Sequence, residues 1–354
     1  MPTSSSPRTW LRSQLGLILI VLALAALPFV IGLLNGQSIS DVLANAKGNA
    51  KFIQGLMIEV FILAIFAISY DLILGITGLL SFGHAMFFAV GSYLTGVALK
   101  SFGWSLGQTI LAVLAAGVIQ ALLFGIVLPR VKGITFALVT LGLASVFDIL
   151  IKTRELGEYT GSDVGLQGIP RPPILDPTDQ RLRFYFVALA FTLLVFLLYK
   201  RFVDSPTGRV CIAIRENENR ARMLGYNTFY FKLAALTLSS LTAAMAGLLN
   251  ALYKPIVSPE IAGLGFTVDG LLMLLIGGMG TLSGAMVGAG IFRLLDFYFD
   301  RWFGEASSFL IGGLYVLLVL FVPYGFVGAW RARALDFRRG RARLLHLFGG
   351  RGGD

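Results

Sequence analysis

From Leu15 to Leu34 the chain runs for about twenty residues without a single charge, the length a helix needs to cross ~30 Å of hydrocarbon. Apolar segments of similar length recur, separated by charges or turn residues, at approximately 15–34, 52–74, 80–99, 105–128, 134–151, 184–203, 232–252, 266–282, 284–299 and 307–327. Inside a bilayer no water satisfies a backbone N–H or C=O, so only helices and closed barrels span it. A barrel would show ~10-residue segments of alternating polarity, and none is visible. The pattern predicts an all-α, polytopic membrane helical bundle of about ten transmembrane helices.

Charge usage and charge placement agree with this. Only 14% of residues are charged and 56% are hydrophobic, against about 25% charged in a soluble protein. A net charge of +10 would suit nucleic acid, yet the basic residues never join aromatics in a soluble module, so no nucleic-acid partner is expected. They gather instead at Arg130 and Lys132, between Lys200 and Lys232, and from Arg331 to Arg351. Lys and Arg collect on cytoplasmic loops, which predicts both termini inside, N-in and C-in. Arg8 and Arg12 ahead of the first run resemble a signal peptide, but a secretory apolar region is ~7–15 residues long. The first run is therefore read as an uncleaved span. The expected layout is a cytoplasmic N-terminal segment (1–14), a transmembrane domain (15–330) and a basic cytoplasmic tail (331–354).

The sequence offers little chemistry. Cys211 is the single cysteine and His84 and His346 are the two histidines, which leaves no disulfide and no multi-cysteine metal site. There is no phosphate-cradling G-x-x-x-x-G-K-[ST] and no HExxH, so no ATPase, catalytic residue, cofactor or metal is expected in this chain. A membrane-embedded enzyme would need clustered catalytic residues that are absent.

Two hydrophilic loops stand out. Residues 152–183 carry balanced charge with Pro170, Pro172, Pro173 and Pro177, and read as an ordered extracytoplasmic loop. Residues 204–231 form the most basic inner loop. Ser205-Pro206-Thr207-Gly208 is a turn, and Arg215 to Leu224 is predicted as a short helix closed by Gly225. A polar helix this short does not hold itself up in water; it must rest on the membrane surface or on a partner.

Glycines mark two breaks. Gly75, Gly78 and Gly83 permit a chain reversal at the membrane edge, and GGMGTLSGAMVGAG (Gly277 to Gly290) holds a second. Non-helical backbone at membrane depth is tolerated only inside protein, so re-entrant or broken helices are expected in both places. Gly280, Gly284 and Gly288, at spacing four, predict a small-residue stripe for close helix packing, as do Ala243, Gly247 and Ala251. Ionisable groups within spans are expensive. Asp71, Asp148 and Asp269 fall near span ends, where water is expected to solvate them, and Arg293 and Asp296 can pair at i and i+3. Glu59 and His84 remain as candidate pathway residues, with a hydrogen-bonded helix cap the blander role for His84.

Together these residues resemble a known family. GLLSFGHAMFFAVGSY, GSDVGLQGIP (Gly161 to Pro170), SPTGRVCIAIRENENRARMLGYN and GGMGTLSGAMVGA occur in the order found in the LivM-type permease of branched-chain amino acid ABC importers, from about Tyr70 to Pro323. The resemblance implies a complex with a LivH-type second permease, two ABC ATPase subunits that consume the ATP, and an extracytoplasmic solute-binding protein, all in or on a lipid membrane. It also implies ATPase coupling through Arg215, Glu216, Arg220, Ala221, Leu224 and Gly225. The nearest rivals are a urea or short-amide ABC importer and an autonomous ion-coupled secondary transporter, for which Glu59 would matter most.

Overall fold

The computed structural model describes residues 7–46, 48–321 and 325–329. The basic tail from Arg331, His346 and the first six residues of the N-terminal segment lie outside the described residues. The helices are α1 (Pro7–Leu34), α2 (Ile39–Leu43), α3 (Asn49–Asp71), α4 (His84–Lys100), α5 (Leu106–Val127), α6 (Ile134–Lys152), α7 (Gly157–Thr160), α8 (Arg181–Asp204), α9 (Pro206–Met223), α10 (Thr228–Tyr253), α11 (Leu264–Gly277), α12 (Ser283–Phe303) and α13 (Ser307–Phe321). Each predicted apolar run overlaps one of them over most of its described residues, with 80–83 and 278–282 non-helical. Six are long and apolar enough to cross a membrane: α1 from Leu15, α3 with its extension to Ile76, α5, α6, α8 and α10. Helix α11 is apolar but spans only 14 residues, about 21 Å at 1.5 Å per residue. The chain is an all-α, multi-pass membrane protein.

Two compact units form, residues 1–59 with 172–190, and residues 60–171 with 191–354. In the first, Ser38 caps α2 and Asp41 returns a bond to the Ser38 N–H, a reciprocal capping box. The segment 172–190 is tied to it by Asn45 and Lys51, both donating to the Thr178 carbonyl at 2.9 and 3.0 Å. Arg181 donates to the Lys51 carbonyl at 3.2 Å.

In the second unit the helices are organised inside out, as a lipid solvent requires. Helix α5 turns Leu111, Ile119, Leu122 and Ile126 outward, and buries Thr109, Val113, Gly117, Gln120 and Ala121. Small side chains let helix backbones touch, which replaces the hydrophobic drive that lipid removes. Helix α10 packs on α4 in this way. A Cβ on Gly91 would meet the Ala244 carbonyl and one on Gly247 would meet the Phe88 carbonyl. Ser92 Oγ donates across the seam to the Gly247 carbonyl at 2.8 Å, and Ser240 does the same from α10 to Gly117 of α5 at 2.8 Å.

One end of this unit carries a small ordered cap. Strand β1 (Leu166–Gln167) pairs antiparallel with β2 (Ile256–Val257), Leu166 facing Val257. Lys100 donates to the Gln167 carbonyl at 2.7 Å and Arg171 to the Tyr253 carbonyl at 3.2 Å. Phe102 lies 5.6 Å from Trp104 and 6.3 Å from Tyr159, ring centre to ring centre, a grouping suited to a bilayer interface, where amphipathic rings settle.

Candidate coupling segment and the broken helices

The polar segment between α8 and α10 is almost wholly helical. Helix α9 begins where Ser205 Oγ accepts from the Gly208 N–H at 3.2 Å, with Pro206 in the first turn, where its missing N–H costs nothing. It is longer than the predicted 215–224 helix and is kinked at Asn217. The Asn217 side chain accepts from the Arg220 N–H at 2.9 Å and so caps the second half. Gly225 ends the element at φ +89°, with Tyr226 N–H bonded to the Ala221 carbonyl at 3.2 Å, the left-handed closure that glycine favours.

Sequence periodicity gave no hint of what holds this element down. Glu218 makes ion pairs with Lys232 of α10 at 2.7 Å and with Arg222 at 2.6 Å, and accepts from Thr228 Oγ1 at 2.9 Å. Partial burial pushes the Glu218 carboxyl up, but the bonds and charges of Lys232, Thr228 and Arg222 outweigh it and hold the group below its ordinary value. Lys232 is buried, so Glu218 neutralises a cation that would otherwise be costly. These residues line an open pocket with Leu128, Pro129 and Tyr226.

The six coupling residues divide into groups. Ala221 is buried and serves packing. Glu216 and Arg220 are exposed. Leu224 is 72% exposed and Met223, next to it in the chain, 84%, an apolar knob on an otherwise polar segment; Tyr230, in the first turn of α10, is 66% exposed. Arg215 is exposed too, yet its guanidinium donates to the Gly75 carbonyl.

That contact leads into the breaks. After Asp71 the chain winds into a π-helical turn, Leu72–Ile76, a rare geometry that occurs mainly at functional sites. Residues 77–83 are non-helical before α4 starts at His84. The second break, residues 278–282 between α11 and α12, holds Gly278 at φ +112°, Gly280 at +75° and Leu282 at +48°. Leu282 is strained there, at a cost of about 1–3 kcal/mol.

Two expectations are corrected here. Asp71 is fully buried rather than water-solvated; its carboxylate accepts from the Gly280 N–H at 2.6 Å and the Leu282 N–H at 3.0 Å. The sequence hid this because its partners lie more than 200 residues away. Gly280 lies in the break and not on a helical face with Gly284 and Gly288. Gly284 and Gly288 do pack closely: a Cβ on Gly288 would meet the Met273 carbonyl, and one on Gly277 the Gly284 carbonyl.

His84 is fully buried. Ser69 Oγ spends its one proton on the Phe66 carbonyl at 2.6 Å, so the 2.9 Å contact between His84 Nε2 and that oxygen makes Nε2–H the donor. The ring stacks on Tyr70 at 4.5 Å, with Phe66 at 5.2 Å, and its Nδ1 has no protein partner among the described residues. Glu59 is half-buried on α3, so Asp71, and not Glu59, is the deepest carboxylate of that helix. Asp148 pairs with Lys152 and Arg293 with Asp296, at 2.8 and 2.7 Å. No group of three metal-ligating side chains exists among the described residues.

A bundle of largely apolar helices, broken twice at glycines, carries a basic, partly exposed helix that ends in an apolar knob. Residues 52–320 match the family described as the branched-chain amino acid transport system permease component, and the chain belongs to it. It is 30% identical to the high-affinity branched-chain amino acid transport system permease protein LivM of Salmonella typhimurium, over 79% of this chain and 70% of the relative. The Escherichia coli LivM protein is likewise 30% identical over the same shares. The Salmonella typhimurium LivH permease is 25% identical over 75% of this chain and 91% of that protein. No solved structure matches the chain.

Proposed function

We propose that this chain is the membrane permease subunit of an ATP-driven importer for branched-chain or related amino acids in the cell membrane. It crosses the bilayer about ten times with both termini inside, and shares its channel with a homologous LivH-type permease. Two ATPase subunits dock on the coupling loop 204–231, and a solute-binding protein delivers substrate at the opposite face. Support comes from family membership and from the names of relatives of both permease types.

The observation that carries the mechanism is the exposed pair Met223 and Leu224 at the end of α9, a helix tied to α10 by the ion pair of Glu218 with Lys232. An exposed apolar tip on a rigid polar arm is suited to seating in a groove of a soluble partner. ATP-driven motion of that partner would pass through α9 into the bundle and change its access. Glu216 and Arg220, exposed on the same helix, would supply charged contacts to that partner. Gly225 closes the arm, and Glu59 and His84 remain candidates along the pathway.

The test reconstitutes the five-subunit importer in proteoliposomes and measures leucine uptake and ATPase retention. Leu224→Asp is expected to abolish uptake and release the ATPase with the permease still inserted. Arg215→Glu is expected to abolish uptake. Normal uptake by Leu224→Asp would overturn the docking assignment. Uptake by this chain alone, without ATPase, would overturn the importer reading in favour of an ion-coupled transporter. Competition by urea but not leucine would reassign the substrate.

A further inference from the structure

We infer that Asp71 and Arg215 are positioning residues that form a strut, fixing both broken helices to the coupling helix so that motion of α9 becomes motion of α12. The inference rests on the coupling role of α9 proposed above and names the route by which that motion travels.

Three segments distant in sequence meet here with backbone touching backbone. Arg215 of α9 donates to the Gly75 carbonyl, in the π-helical turn. One helical turn before Gly75, Asp71 accepts from Gly280 and Leu282 in the break that precedes α12. The contact is closed on itself. A Cβ on Gly280 would stand 2.9 Å from both Arg215 Nη1 and the Gly75 carbonyl oxygen, and one on Gly78 would stand 2.8 Å from Arg215 Cγ. A Cβ on Gly75 would overlap the Asp71 carboxylate and the Gly280 nitrogen. No side chain fits between the segments, so they cannot slide independently.

Each side-chain contact also has a job that a neutral packing residue would not do. The π-helical turn leaves carbonyls without their usual intrahelical partners, and Arg215 supplies a charged donor to one of them. The second break leaves N–H groups at the head of α12 unpaired, and Asp71 takes two of them, which also holds Leu282 at its strained φ of +48°. Asp71 reaches no solvent, whereas the backbone of Arg215 lies on the exposed element. The strut therefore runs from the partner-facing surface to a buried point between two interrupted helices. Interrupted helices form the substrate and ion sites of many alternating-access proteins, and a rigid link between two of them makes them move together.

The experiment compares Asp71→Asn, Arg215→Gln and the double variant in the reconstituted importer, reading assembly, ATP hydrolysis and leucine taken up per ATP. Asn keeps the size and one accepting oxygen at position 71, and position 215 lies on an exposed helix, so at least the second variant is expected to fold. The expected result is normal assembly and continuing hydrolysis with uptake per ATP reduced about tenfold, within the 5–150-fold span of ordinary allosteric coupling. The double variant should be little worse than either single one, since both break the same link. Arg215→Lys should restore only part of the coupling, because a point charge replaces the planar fork.

Wild-type uptake per ATP in both assembled single variants would overturn the strut, as would equal loss of hydrolysis and uptake. If Asp71→Asn fails to assemble, Arg215→Gln decides alone. Failure of the docking reading looks different, since Leu224→Asp would then transport normally.

Discussion

Replacing Gly247 by alanine tests the central claim that α4 and α10 meet backbone to backbone. The added methyl would overlap the Phe88 carbonyl oxygen, which belongs to the backbone and cannot rotate away. To restore van der Waals contact the helices must part by roughly 1 Å. Overpacking of this kind costs about 1–3 kcal/mol. The same movement stretches the 2.8 Å bond from Ser92 to the Gly247 carbonyl, whose loss adds about 1 kcal/mol. Against this, alanine gains about 1 kcal/mol of helix propensity over glycine. The net expectation is a destabilisation of about 1–3 kcal/mol. Gly142 on α6 is the control, because a Cβ there meets nothing within 4 Å; Gly142→Ala keeps only the propensity gain and should be neutral or stabilising. The assay is the midpoint temperature at which the detergent-solubilised chain loses its monodisperse peak. A midpoint for Gly247→Ala equal to or above wild type would refute the close-packed seam.

Other expectations concern the coupling segment. Glu218→Gln should leave Lys232 without its counter-charge and loosen residues 218–228 by about 1–3 kcal/mol, less than a fully buried pair because the Glu218 side chain keeps 17% exposure; increased amine labelling of Lys232 would show it, and unchanged labelling would count against it. Because Glu218 titrates below its ordinary 4.5 when folded, its contribution is complete above that value and fades as pH falls through the folded one. Hydrogen exchange over 218–228, corrected for intrinsic rates, should therefore be flat from pH 7 to about 5 and rise on further acidification. Cys211, pushed up to about 11 by burial, should resist maleimide at pH 8 until the chain is denatured; prompt labelling would mean that α9 lifts off readily. Gly225→Ala meets no neighbour, so only its φ of +89° opposes the change. A loss of about 1–2 kcal/mol in local protection of the α9 end is expected.

Much of the fold was legible because the bilayer enforces a simple rule. Runs of about twenty apolar residues must be helices when no water can satisfy their backbone, and a helix lies over most of the described part of every such run, Leu15–Leu34 included. The breaks were legible too, since glycines cluster after Gly75 and between Gly277 and Gly284, although Gly280 itself was read as part of a helical stripe with Gly284 and Gly288. The family match rests on those same local blocks. Within the coupling loop, the residues around Arg215 and Leu224 were found from composition and resemblance, but which of them faces inward was not.

What the sequence determined by itself is thus the class of molecule, the positions of its helices and the places where they fail, because each follows from neighbours along the chain. Only the tertiary structure decided that Asp71 is a buried acceptor for Gly280 and Leu282, that Arg215 reaches back to Gly75, and that Glu218 holds Lys232. These are pairings between segments up to 211 residues apart, made by isolated charged side chains that carry no period. Hydropathy ranks such groups by their cost in lipid, and their stability depends on a partner that the linear order does not reveal.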